Sequence, residues 1–211
     1  MKTNDLISLL VEDAPVRMRL GRMLALALVI GIVVSAALLL STIGMRKNMM
    51  DALATARVLF KIAITLTLAI TASSLLFKVG RPDASLRVFG WALLLPLAAL
   101  FIGVLSEMNA VPEDSWRPDM MGHNARFCMF FIPVLSITPL AGFMLALKNG
   151  APRSPGLAGA VAGLAAGGIA AAIYAWHCPD DSPFFVATWY SLAIAFVTLI
   201  GALVGSRILR W

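Results

Sequence analysis

Six runs of apolar residues, each long enough to cross a hydrocarbon core as a helix, leave this chain little choice of environment. They lie at about Arg22 to Gly44, Val58 to Phe77, Val88 to Met108, Phe127 to Leu147, Leu157 to Trp176 and Phe184 to Gly205. A helix needs roughly 20 residues to span that core. Of the 211 residues, 60% are hydrophobic and 13% charged, whereas a soluble domain runs at about half and a quarter. The expected fold is an all-α membrane protein, a bundle of six transmembrane helices over residues 22–211 behind an N-terminal tail over residues 1–21. The loops left between the runs are too short for a separate soluble catalytic domain. Met23 to Leu40 exceeds the apolar core of about 7 to 15 residues in a cleaved signal peptide, so it reads as a retained first helix.

Lysine and arginine accumulate in cytoplasmic loops, which orients the bundle. Lys2, Arg17, Arg19 and Arg22 precede the first run, Lys78, Arg81 and Arg87 follow the second, Lys148 and Arg153 follow the fourth, and Arg207 and Arg210 end the chain. The opposite side carries Arg46, Lys47, Arg57, Arg117 and Arg126 together with Glu107, Glu113, Asp114, Asp119, Asp180 and Asp181. Both termini are therefore expected in the cytoplasm, although Arg46 and Lys47 run against the trend. The net charge of +6 is scattered over helix ends without a dense patch or interleaved aromatics, so nucleic acid is not an expected partner.

Carboxylates buried at mid-membrane mark proton and ion routes, and the runs contain none there, which argues against a proton-coupled transporter. Lys61 lies a few residues inside the second run, where its stem can snorkel to the interface. Glu107 falls at the outer end of the third run, near solvent. Gly159, Gly163 and Gly167 repeat at four-residue spacing and predict a close packing seam for the fifth helix. Pro96, Pro133 and Pro139 each remove a backbone donor inside a helix and predict bends. Trp91, Trp176, Trp189, Tyr174 and Tyr190 lie near run ends, as an interfacial aromatic belt places them.

Cys128 and Cys178, the two cysteines of the chain, open the fourth helix and follow the fifth, so the topology puts both at one outer edge. Three readings of the pair stand open. A permanent disulfide staple between the outer ends of helices four and five is worth about 2 to 4 kcal/mol. A switchable dithiol is the second, since exposed pairs are the labile ones. A soft-metal site joining the thiolates to His177, His123, Asp180 or Asp181 is the third, without a C-x-x-C or H-x-x-x-H spacing to support it. A quinone-linked thiol oxidant would require a close reactive C-x-x-C pair. No Ser-His-Asp, H-E-x-x-H or glycine-rich phosphate motif is present, so no enzyme activity is expected.

Residues 1–14 read as a short amphipathic helix capped by Asn4 or Asp5 and stopped before Pro15. Leu6, Leu9, Leu10 and Asp13 follow three-four spacing, with Ile7 and Val11 widening the stripe. A lipid-surface helix is basic on its polar face, whereas this one carries Asp5, Glu12 and Asp13 against Lys2. That balance favours a protein partner for the leucines, with packing on the protein's own loops as the alternative.

The tail MKTNDLISLL with Ala14-Pro15-Val16-Arg17, the segment Trp176-His177-Cys178-Pro179-Asp180-Asp181-Ser182-Pro183, and the terminal stretch from Leu203 to Trp211 together resemble the NrsF family. The resemblance covers essentially the whole chain, and the W-H-C-x-D-D-S-P stretch is its most specific part. It implies a six-helix bacterial inner-membrane protein that negatively regulates an extracytoplasmic-function sigma factor. The cytoplasmic tail would hold that factor, and the two extracytoplasmic cysteines would take part in the response to heavy metals or oxidants. No resident cofactor is implied, a heavy-metal cation entering only as stimulus. Carried onto this chain, the cysteines are Cys128 and Cys178. The sigma-contacting segment falls around Asp5, Leu6, Leu9 and Leu10, an assignment resting on amphipathicity. The competing reading is a small-molecule permease or channel hydrated by Thr65, Thr67, Thr71, Ser73, Ser74 and Thr138.

Overall fold

The computed structural model describes residues 19–80, 87–150 and 152–210, with 87–89 as backbone only. Six helices among the described residues are long and apolar enough to cross a bilayer: Leu20–Thr42, Ala56–Val79, Gly90–Ala110, Ala125–Leu147, Pro155–Tyr174 and Pro183–Ile208, named spans one to six here. No strand occurs among the described residues. The tail with Asp5, Leu6, Leu9 and Leu10 lies outside them.

Span five is the axis of the bundle. It is built largely from glycine and alanine, which keep much of its surface low in bulk, so neighbours surround it and leave most of it buried. Span six lies closest. An added Cβ on Gly159 would sit 2.2 Å from the Gly201 carbonyl oxygen, and one on Gly163 would sit 2.6 Å from the Val197 carbonyl oxygen. The predicted glycine seam is therefore a backbone-on-backbone contact, and its partner is a second small-xxx-small pair, Gly201 and Gly205, that the sequence also displays. Gly168 on another side of span five meets the backbone of Ala69 in span two. Span three is peripheral, with Leu95, Leu97, Phe101 and Ile102 at least 60% exposed, which is a lipid-facing pattern for an apolar helix.

The prolines act in distinct ways. Span three is interrupted at Leu93, between helices Arg87–Ala92 and Leu94–Ala110. The break adjoins Ala92, the i−4 residue whose carbonyl the Pro96 ring crowds. Span four instead runs unbroken through Pro133 and Pro139. Pro139 has no N–H for the Leu135 carbonyl, and the hydroxyl of Ser35 in span one donates to that carbonyl at 2.6 Å. Span one comes close enough because Gly31 faces Pro139, where a Cβ would meet the ring at 2.7 Å. A lost intrahelical bond has become an interhelical one.

Two further features had no counterpart in the hydropathy pattern. A short helix, Glu113–Met121, joins spans three and four, and the Trp189 indole N–H donates to its Met120 carbonyl at 3.0 Å. Near its start span six widens into a π turn over Val186–Tyr190.

Candidate functional site

Span five ends at Tyr174, so Trp176 belongs to the following loop rather than to the helix. From Trp176 to Pro183 nearly every residue makes a defined contact. The Trp176 carbonyl accepts the Arg46 amide at 3.2 Å. His177 Nδ1 lies 2.9 Å from the Gly44 carbonyl oxygen. The Asp180 carboxylate accepts the amides of His123 and Asn124, at 3.1 and 2.8 Å through Oδ2, just ahead of span four. An anion is favoured there because the first amides of a helix lack partners and its dipole is positive at that end. The Ser182 hydroxyl accepts the Phe184 amide at 3.3 Å, and Pro183 takes the first helical position, which together start span six.

Cys128 and Cys178 meet under this loop. Their sulfurs are 3.9 Å apart and both thiols are free, whereas a disulfide holds its sulfurs at about 2.05 Å. The sequence expectation that the cysteines sit together at one end of the bundle agrees with this arrangement. Their exposure differs from what a labile pair leads one to expect: Cys128 is 0% and Cys178 1% exposed. Neither sulfur is open to solvent in this arrangement.

Lys61 lies at the centre of the latch. It does not snorkel to an interface. The side chain is wholly buried, and Nζ donates to the Cys178 carbonyl at 2.7 Å, to the Asp180 carbonyl at 3.3 Å and to the Asp181 carboxylate. Asp181 in turn accepts Arg46 Nη1 at 2.7 Å. An ammonium needs such acceptors because a bare charge cannot be held out of water. Glu107 is likewise buried rather than near solvent, and it pairs with Arg57 across spans two and three.

Tyr174 and Tyr190 are not belt residues. They are 0% and 1% exposed, their rings 6.1 Å apart, and among the described residues neither hydroxyl has a hydrogen-bond partner of ordinary geometry. Both interact electrostatically with the thiols. Cys178, in the loop outside the spans, is held below the ordinary thiol value. The hydrogen bond with Cys128 is the largest cause, and the Lys61 charge adds to it against the opposing effect of burial.

The metal-ligand expectation finds little support in this geometry. Among the described residues no three of His, Cys, Asp and Glu converge on one point. His177 is turned to Gly44, Asp180 to the amides before span four, and Asp181 to Arg46 and Lys61. His123 lies 3.7 Å from Asp180 with its side chain 97% exposed. Of the hydroxyls named for a permeation path, Thr65 bonds back to the Lys61 carbonyl of its own helix, Thr67 to Ala63 and Thr71 to Thr67. Sequence reading missed Lys61, Arg46 and Asn124 as partners of the loop. The available signal was Lys61 itself, since a lone lysine inside a span is costly and rare.

Fold and site together define a multi-pass helical membrane protein whose most constructed feature is a loop latched over a buried thiol pair. The family model described as negative regulator of sigma F, NrsF, matches residues 10–211. A probable anti-sigma-F factor NrsF of Azospira oryzae is 30% identical over 218 aligned residues, covering 100% of both chains. The anti-sigma-F factor NrsF of Caulobacter vibrioides is 32% identical over 215 residues, again covering 100% of both. The chain belongs to the NrsF family. No solved structure matches it.

Proposed function

We propose that this protein is an inner-membrane anti-sigma factor with both termini in the cytoplasm. It sequesters an extracytoplasmic-function sigma factor through its N-terminal tail and releases it when the extracytoplasmic pair Cys128 and Cys178 responds to oxidants or heavy metals. The single observation carrying this reading is the buried dithiol, sulfurs 3.9 Å apart, under a loop tied to spans one, two and four. Family membership supplies the regulatory role and the sigma-factor partner.

A disulfide needs the sulfurs to close by about 2 Å from this arrangement. Closing them, or capping either with a thiophilic cation, disturbs a site in which both sulfurs are buried. Arg46, which follows span one, shares Asp181 with Lys61, so a displaced loop pulls on span one, which the tail precedes in sequence. For such coupling to switch anything, the modified pair must favour one bundle arrangement over another.

Two measurements test the reading. Reporter induction by cadmium or peroxide is expected in wild type and absent in Cys128→Ser and Cys178→Ser strains; full induction in both mutants removes the pair from the mechanism. Co-purification of the sigma factor is expected with wild type and lost with Leu6→Asp/Leu10→Asp, and equal recovery excludes the tail.

A further inference from the structure

We propose that Lys61 is the positioning residue of the thiol pair: it holds the loop that carries Cys178 and makes Cys178, not Cys128, the thiol that meets an incoming electrophile. The inference deepens the sensor reading above and rests on it for its biological meaning, though not for its chemistry.

The two sulfurs are neighbours in different surroundings. Cys128 lies in the first turn of span four, away from Lys61's acceptors, and shares one buried apolar cluster with Cys178. Cys178 belongs to the loop, and its own carbonyl accepts the Lys61 ammonium at 2.7 Å. All three acceptors of that ammonium come from residues 178–181, so Lys61 both fixes this stretch and sets a positive charge beside one thiol. A positive neighbour favours the thiolate, which is the reactive form, while an apolar setting favours the thiol.

The other groups around Cys178 do not cancel this. Asp180 opposes the thiolate but has its carboxylate committed to the amides of His123 and Asn124. Asp181 is shared with Arg46. His177 is turned to the Gly44 carbonyl. The Tyr190 hydroxyl from span six is directed to Cys178, while that of Tyr174 from span five is directed to Cys128 and works in the opposite sense. The two sulfurs lie 3.9 Å apart, and either can donate its S–H to the other.

The test uses the full chain in native membranes, labelled with iodoacetamide over a pH series, with each cysteine peptide followed by mass spectrometry. In each alkylation a thiolate forms the S–C bond and iodide leaves. Loop opening scales the rate at every pH, whereas the pH at which the rate levels off reports ionisation beneath the closed loop, so access and charge separate. Cys178 is expected to label before Cys128 in wild type. Its levelling-off pH is expected to rise in Lys61→Met and to return in Lys61→Arg. Cys128 labelling first, or a Lys61→Met profile that superimposes on wild type, overturns the proposal. Should Lys61→Met fail to accumulate, the wild-type order and the Lys61→Arg profile decide alone. Failure of the sensor reading looks different: Cys128→Ser and Cys178→Ser strains remain inducible while the labelling order stands.

Discussion

Lys61 and Asp181 form an ion pair of unequal dependence. The Lys61 side chain is 0% exposed and that of Asp181 is 15% exposed. Asp181 keeps a second cation in Arg46, whereas no second carboxylate reaches Lys61 among the described residues. Removing one partner of a buried pair strands the other, at about 3–5 kcal/mol. The cost here depends on which partner remains.

Asp181→Asn is therefore expected to destabilise the protein more than Lys61→Met. The asparagine variant leaves a wholly buried ammonium with only carbonyl and amide acceptors. The methionine variant keeps the aliphatic volume and leaves Asp181 with Arg46. Thermal unfolding in detergent should rank the melting temperatures as wild type, then Lys61→Met, then Asp181→Asn. The reverse order would mean that Lys61 does not rely on Asp181.

The glycine seam makes an equally direct prediction. Gly159→Ala drives a methyl into the backbone of span six, which cannot rotate away as a side chain can, and overpacking of this kind costs about 1–3 kcal/mol. Gly21→Ala is the control, since nothing lies within 4 Å of the added Cβ. Its effect is expected to be neutral or slightly stabilising, because alanine restricts the unfolded chain more than glycine does. Equal melting temperatures for the two variants would remove the seam as a contact.

These contrasts show what the linear sequence carried and what it did not. The six spans were legible to within a few residues because hydropathy over roughly 20 residues is a local property. Gly159 and Gly163 were legible as a seam for the same reason, since their spacing alone puts them on one face. Lys61 was not, because nothing local separates a snorkelling lysine from one whose acceptors lie at Cys178, Asp180 and Asp181, more than a hundred residues away. Tyr174 and Tyr190 were misread as belt residues because depth along a helix says nothing about which way a ring faces. The loop from Trp176 to Pro183 was visible as a dense and unusual stretch. Its partners Gly44, Arg46 and Asn124 became visible only with the tertiary structure.

Proximity of the cysteines is open to a chemical check. Mild oxidation of wild type in membranes, followed by denaturation and a polyethylene-glycol maleimide, is expected to leave both cysteines unlabelled. The unoxidised protein takes two mass tags per chain. Cys128→Ser and Cys178→Ser should each take one tag before and after mild oxidation. Two tags on oxidised wild type would show that the sulfurs cannot close from 3.9 Å.

The junction of spans one and four gives a double-mutant prediction. Ser35 donates to the Leu135 carbonyl that Pro139 leaves unserved. Ser35→Ala strands that carbonyl in the buried interface, at a cost of about 1 kcal/mol given the range for interhelical bonds in membranes. Pro139→Ala restores an N–H four residues along, which can serve Leu135 from within span four, and keeps the Cβ that packs on Gly31. In the Pro139→Ala background the Ser35→Ala change should therefore cost measurably less, read as a smaller drop in melting temperature across the cycle. Additive losses would mean that the serine matters for packing alone. Non-additivity would show that a proline-broken helical bond is made good by a neighbouring helix.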